Sequence, residues 1–365
     1  MKILCVFGKH QYGDPSRGLG TEYVAFLPAL RNLGHEVVHF DSWDRTLYEN
    51  YGQLNQALLS AVHREQPHVM LAVQLNYEIW AETLELISRM DHTITICWTT
   101  DDSWKYREVS RFIGRFYHVM TTTDEASLPK YRKDGIRHVL LTQWGTNSVS
   151  MRRPLPAAEC SHTVTFVGEA HGNRKRRIEA LSRLGLQVTC FGYGWPGGPV
   201  PSQRIPGGFL LTEYVSGIEK YYIPGREIET FKKTSELARK IRHYLNNPEK
   251  RDRIAIKGYE RSARDHTYET RMEELLAFAF EMKRPSWFSE KNTWVFTFDT
   301  ALSAHQMTRI LKLLRLLLVG ISNLIWGRTR GPRAARRLVF EVSWRFLGEK
   351  TFTASGLPGR MFPEQ

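Results

Sequence analysis

Cysteine is scarce: four in 365 residues, none at a metal-ligand or redox spacing. Cys5, Cys97 and Cys190 fall inside the apolar runs ILCVF, ITICW and VTCFG, which read as buried strands. They are small core residues of a reducing compartment, which excludes a disulfide scaffold. Acid is short as well: 38 Asp and Glu against 51 Lys and Arg leave a net charge of +13. In the C-terminal segment the charge-free run, Leu316 to Gly327, covers only twelve residues, too few to span a bilayer as a helix. No G-x-G-x-x-G follows the first strand of either half with an acid about 20 residues on, which disfavours a dinucleotide-dependent enzyme. The N-terminus, MKILCVFG, runs from strand to glycine loop without a signal peptide, so a cytoplasmic location is expected.

What is present is a regular alternation of strand and helix patterns. KILCVFG, HEVVHFD, PHVMLAVQL, TITICWTTDD, YHVMTTTD and HVLLTQWG read as strands separated by helical stretches such as GTEYVAFLPALRNLG and LNQALLSAVHREQ. This pattern predicts an α/β fold with a parallel sheet covered by helices on both faces. MRRPLPAAECS, residues 151–161, carries prolines and little periodicity, and reads as a linker. The pattern restarts with TVTFVG, a helix over 174–184 and LQVTCFG. The expected organisation is therefore a first Rossmann-like domain over 1–150, a second over 162–284, and a basic helical extension over 285–365. The second domain is short, with three candidate strands, the third being FLLTEY.

Strand-end loops carry the candidate chemistry, because open α/β sheets bind ligands beyond the carboxyl ends of their strands. GKHQYGDPSRGLG holds four glycines with Asp14, Arg17 and Gly18, and opens a helix; an unliganded surface loop is the plainer reading. Asp101 and Asp102 end an apolar strand, where paired carboxylates could act as base and acceptor-positioning group. The alternative is one helix cap and one solvated acid. In VGEAHGNRKRR, Arg174, Lys175, Arg176 and Arg177 crowd the start of a helix, an end that normally attracts acids. A bound diphosphate would explain Arg174 and one neighbour; a solvated basic turn is the rival.

The blocks YGDPSRGLGTEYVAFLPALRNLGHEVVHFD, TTDDSWKY, TVTFVGEAHGNRKRRIEALSRLG, CFGYGWPGG, GGFLLTEYVSGIEKYYIPGREI and IAIKGYERSARDHTYETR occur in this order over residues 1 to about 280. Together they resemble bacterial glycosyltransferases of the spore-maturation CgeB-like group, relatives of the group 1 glycosyltransferases with the GT-B fold. EKTFTASGLPGRMF is similar to the closing segment of some such transferases. The resemblance implies two Rossmann-like domains, a nucleotide-sugar held mainly by the second, and an acceptor facing the first. It implies that Gly168, His171, Arg174 and Lys175 meet the donor diphosphate, and that Glu213 and Glu219 follow the strand lining the nucleotide pocket. No metal or other cofactor is expected, since cations and a helix dipole neutralise the leaving diphosphate. The expected function is transfer of a sugar from a nucleotide-diphosphate donor to a cell-surface glycan, lipid-linked or protein acceptor.

One departure matters. The family carries further strand and helix layers, and an R-x-FE-like segment, between the GWPGG-like turn and GGFLLTE. Here only PVPSQRIP separates them, and no Glu occurs between Glu179 and Glu213. The missing carboxylate would weaken donor binding by roughly 1 to 3 kcal/mol. A catalytically impaired pseudoenzyme or binding module of the same fold is therefore the alternative.

From Arg309 to Arg345 nine cations face one acid, Glu341, so eight of the thirteen net charges lie there. On a helix through 301–326, His305, Arg309, Lys312, Arg315, Ser322 and Asn323 share one side, opposite a broad Leu/Ile/Val face. This predicts a helix over 301–326 that, with the basic stretch after it, puts 301–345 on an anionic membrane, with peripheral attachment at the inner face, or else a helix packed back on the first domain. Nucleic acid is not an expected partner, because the basic run has no interleaved aromatic platform.

Overall fold

The computed structural model describes residues 1–44, 46–90, 92–195, 208–282 and 297–363. The described chain divides into two compact units, Met1–Gly145 with Tyr268–Gln365, and Thr146–Thr267.

The first unit is built on a six-stranded parallel sheet of order β2-β1-β3-β4-β5-β6. Its strands are β1 (Lys2–Val6), β2 (Glu36–Phe40), β3 (Val69–Ala72), β4 (Ile94–Cys97), β5 (Val119–Thr122) and β6 (Val139–Leu141). Alternating side chains divide between two cores. Leu4, Val6, Met70, Ala72, Cys97 and Met120 face one side, where α2 (Tyr51–Glu65) and α3 (Ala81–Ser88) bring Leu58, Val62, Leu84 and Ile87. Ile3, Cys5, Phe7, Val69, Leu71, Ile96 and Trp98 face the other, under α1 (Thr21–Asn32). Burial on both faces explains why these strands read as continuous apolar runs. Helix starts follow local chemistry: Asn50 accepts a hydrogen bond from the Gln53 amide at 3.1 Å and caps α2.

Two short helices follow β4: α4 (Asp102–Lys105) and, beyond a π-helical turn, α5 (Arg111–Ile113); α6 (Leu128–Lys133) precedes β6.

The second unit is smaller. β7 (Thr165–Val167) pairs in parallel with β8 (Thr189–Phe191), and β10 (Glu229–Phe231) with β9 (Leu211–Glu213). Helices α7 (Arg174–Arg183), α8 (Thr234–Leu245) and α9 (Pro248–Asp265) complete it. Leu181, Leu186, Phe231, Leu237, Ala238 and Ile241 form its core, with Val164, Ile178, Val188 and Leu211 against them. β10 is an addition to the three strands expected: ETF is too short for a periodic signal. PVPSQRIP, where the missing family block is expected, lies outside the described residues.

The boundary after the second unit differs from the expected 284. Helix α10 (Tyr268–Glu281) belongs to the first unit, where Tyr268, Met272, Leu275 and Leu276 join the core formed by Phe26, Ala29 and Leu30 of α1. The C-terminal residues also belong there: α11 (Phe298–His305), α12 (Arg309–Leu347) and α13 (Leu357–Met361). Ala301, Phe340, Trp344, Phe352 and Ala354 are part of the α2–α3 side of the sheet core. The predicted continuous helix through 301–326 is broken at Gln306, whose backbone leaves the helical region (φ −59°, ψ 135°). His305 is held on the near side of that break, 4.7 Å from the Trp80 ring and hydrogen-bonded to the Ala354 carbonyl at 3.0 Å.

Candidate functional site

In the second unit the carboxyl ends of β7 and β8 are drawn together by backbone. The Gly168 amide donates to Phe191 O at 2.8 Å and the Ala170 amide to Tyr193 O at 2.9 Å, while the Trp195 indole donates to Gly168 O at 2.8 Å. Gly168 and Gly192 have φ of 149° and 129°, and a Cβ on Gly192 would strike the Gly168 carbonyl. Glycine is required here by backbone angle and by close approach together. The loop Glu169–Asn173 then leads into α7, whose Asn173 N-cap makes no side-chain cap bond. Helix geometry aims the first amides of α7 out of its N-terminus, the arrangement that receives an anion.

The four cations at this end have three different fates. Arg174 turns back over the loop: it donates to Glu169 O at 2.9 Å and lies 5.7 Å from the centre of the Phe166 ring. Arg177 makes a two-pronged bond to Glu213 at the end of β9, at 2.8 and 3.0 Å, with its guanidinium 5.2 Å from the Phe231 ring. Lys175 and Arg176 are exposed, as is His171. The structure thus gives Arg177 a protein partner. Glu213 is held by that bond, which keeps its carboxyl below the usual carboxylate range. Glu219, exposed, bonds the Tyr214 hydroxyl beside it. Gly168, Arg174, Arg177 and Glu213 therefore share one end of the unit, with Lys175 on its rim.

A cavity of about 260 Å³ also lies in this unit, lined by Thr146, Leu210, Tyr222, Glu227, Ile228 and Gly258 among others. Leu210 and Ile228 immediately precede β9 and β10, so the cavity sits at their amino ends, opposite the end where such sheets bind ligands.

In the first unit the strand order reverses between β1 and β3, which places the loops after these strands at the switch point. The loop after β1 is closed on itself: Gly20 N donates to Lys9 O at 2.8 Å and Gln11 N to Gly18 O at 3.1 Å. Asp14 accepts from the Ser16 amide at 2.9 Å, Arg17 lies 4.8 Å from the Tyr12 ring, and Gly18 has φ 82°. These three residues shape the loop.

Asp101 and Asp102 point to different environments, which corrects their expected pairing. Asp102 is buried, accepting from the Ser110 hydroxyl at 2.6 Å and the Tyr131 hydroxyl at 2.7 Å, with Thr99 Oγ1 at 3.0 Å. It ties α4, the turn after it and α6 together, and has no open face for an acceptor. Asp101 is exposed, makes no side-chain cap bond and contacts the Thr100 hydroxyl at 3.1 Å.

A carboxylate not singled out from the sequence is Glu22, in the first turn of α1. Burial pushes its carboxyl above the usual range, and the nearby Asp101 charge adds to the rise. An acid in the first turn of a helix is ordinary pairing with the dipole, so nothing in the residue pattern singles it out. Lys105 is a second such group: its ammonium, lowered by burial, donates to Leu75 O at 2.9 Å in the loop after β3.

The parallel sheets define an α/β fold, and the likeness to solved glycosyltransferases assigns it to the GT-B kind. Residues 205–277 match the family model described as glycosyl transferase-like. Among solved structures, a glycosyltransferase from Rickettsia africae shares 10% identity with a TM-score of 0.53, covering 80% of this chain and 99% of that one. Anabaena HepE in complex with UDP shares 14% identity with a TM-score of 0.45, covering 77% and 100%. Anabaena HepE in complex with UDP-glucose shares 15% identity with a TM-score of 0.45, covering 76% and 99%. The Rickettsia structure is the likeness that carries the fold. No curated protein matches the chain in sequence.

Proposed function

We propose that this protein transfers a sugar from a nucleotide-diphosphate donor to a cell-surface glycan, lipid-linked or protein acceptor. The observation that carries the reading is the Gly168 cradle opening onto the basic start of α7, in the unit that holds most of the glycosyl transferase-like match. The diphosphate would lie against the first amides of α7, with Arg174 and Lys175 neutralising the charge that grows as the sugar leaves. Neutralisation is assigned to these groups and the helix dipole, with no resident metal in the scheme. On the acceptor side, Asp101 is the exposed carboxylate at the end of β4, and Glu22, with its raised affinity for a proton, is a second candidate base.

The withdrawal of Asp102 into the core and of Glu213 into its pair with Arg177 favours a second reading, a donor-binding protein that does not transfer. The two separate in one assay. Purified protein is incubated with UDP- and GDP-sugars, with and without a cell-envelope extract as acceptor source. Acceptor-dependent release of the nucleoside diphosphate supports transfer, whereas donor binding without release supports the second reading.

A further inference from the structure

We infer that α12 docks the protein on an anionic lipid bilayer, lying in the membrane interface through an outward stripe of aliphatic side chains. Ile310, Leu313, Leu314, Leu317, Ile321, Leu324 and Ile325 recur at helical spacing and are all exposed, Leu324 at 88%. Their positions fall within an arc about 120° wide on a 3.6-residue helix, a full amphipathic face. The neighbouring flank is tied down. Leu311 is buried, and Leu318 and Val319 are partly covered, in a cluster with Ala335, Val339, Leu357, Met361 and Phe362; Ser322 is buried as well. Arg315 lies 5.3 Å from the Phe362 ring. Thus the expected polar side is partly consumed by packing, and the aliphatic stripe is what the helix presents.

Charge selects the occupant. Arg309 is exposed on the flank of the stripe and Lys312 on the side away from it; after the break at Gly327 (φ 76°), Arg328, Arg330 and Arg333 are exposed too. The sequence holds no acid from Arg309 to Phe340. A second copy packed on this face through a two-fold axis would set these cations near their own equivalents, whereas anionic headgroups complement them. Arg309–Phe352 is long and apolar enough to cross a membrane by length and composition. Its charge-free run is nevertheless twelve residues, about 18 Å of helix, against roughly 30 Å of hydrocarbon. Arg309, Lys312 and Arg315 occupy its first two turns and Gly327 breaks it, so it lies along the surface, with the exposed Trp326 at headgroup depth.

This inference does not depend on sugar transfer. The test is co-sedimentation of the full chain with vesicles of phosphatidylcholine alone, or mixed equally with phosphatidylglycerol. The expected result is binding to the mixed vesicles that weakens with salt. Leu317→Glu/Leu324→Glu is expected to abolish it, and Arg328→Gln/Arg330→Gln/Arg333→Gln to weaken it roughly 100-fold. All five positions are exposed, and unchanged circular dichroism verifies the fold. Failure of the wild-type chain to sediment with the mixed vesicles overturns the inference. So does a concentration-dependent dimer in light scattering that the Leu→Glu pair dissolves while vesicle binding persists, because the stripe then belongs to a second copy.

Discussion

Arg177 and Glu213, 36 residues apart, meet in a two-pronged bond that joins the helix after β7 to the end of β9. It links the two described two-stranded sheets of the second unit at their carboxyl ends. Glu213 is half-exposed, so the pair is screened by salt, though the two-pronged geometry and the Phe231 ring beneath the guanidinium raise its worth above that of a loose surface pair. Arg177→Ala is expected to cost about 1 kcal/mol of stability, measured by urea unfolding, with a smaller loss at high salt.

Asp102 and Asp101 are expected to separate stability from activity. Asp102→Ala strands the buried Ser110 and Tyr131 hydroxyls and should cost about 3 kcal/mol, read as a lowered melting temperature. Asp101→Asn, at an exposed position, leaves melting unchanged and lowers transfer about 100-fold if Asp101 is the acceptor-side base. Should Glu22→Gln carry that loss while Asp101→Asn does not, the role passes to Glu22.

Gly192→Ala places a Cβ against the Gly168 carbonyl at a backbone angle that disfavours it. The expected cost is about 2 kcal/mol, with weaker nucleotide binding because the same carbonyl accepts from Trp195. Gly185→Ala, which meets nothing within 4 Å, controls for backbone angle alone.

Acid should weaken the second unit. Burial raises the Glu229 carboxyl, but Tyr244 and Lys240 outweigh it and the net shift is downward; Glu213 and Glu236 are lowered as well, by Arg177 and by the Lys232 amide first. A carboxyl depressed in the folded state binds fewer protons than in the unfolded chain. Its stabilisation is therefore full above about pH 4.3 and is lost as pH falls through the folded value. Glu229→Gln should flatten that acid limb in unfolding curves recorded from pH 6 to about pH 3.

The first sheet was legible because each strand, buried on both faces, is an apolar run between turn signals, as KILCV and VMLA show. β10 was not, because three residues carry no period. The strand-end position of Asp101 and Asp102 was readable, but which faces inward depends on Ser110 and Tyr131, supplied by later segments. The pairing of Arg177 with Glu213 was hidden for the same reason. For α12 the sequence showed a broad aliphatic face; which part of it the chain covers was settled by Met361 and Phe362, more than thirty residues on.

The proposed chemistry rests on a nucleoside diphosphate held at the basic start of α7. Calorimetric titration of the full chain with UDP, GDP and their sugar conjugates, beside Arg174→Ala, tests it most directly. Micromolar binding of one nucleotide, lost in Arg174→Ala while its melting temperature is kept, is the predicted result. Absence of binding to every nucleotide, or binding indifferent to Arg174, contradicts the account and leaves the cations as a solvated turn.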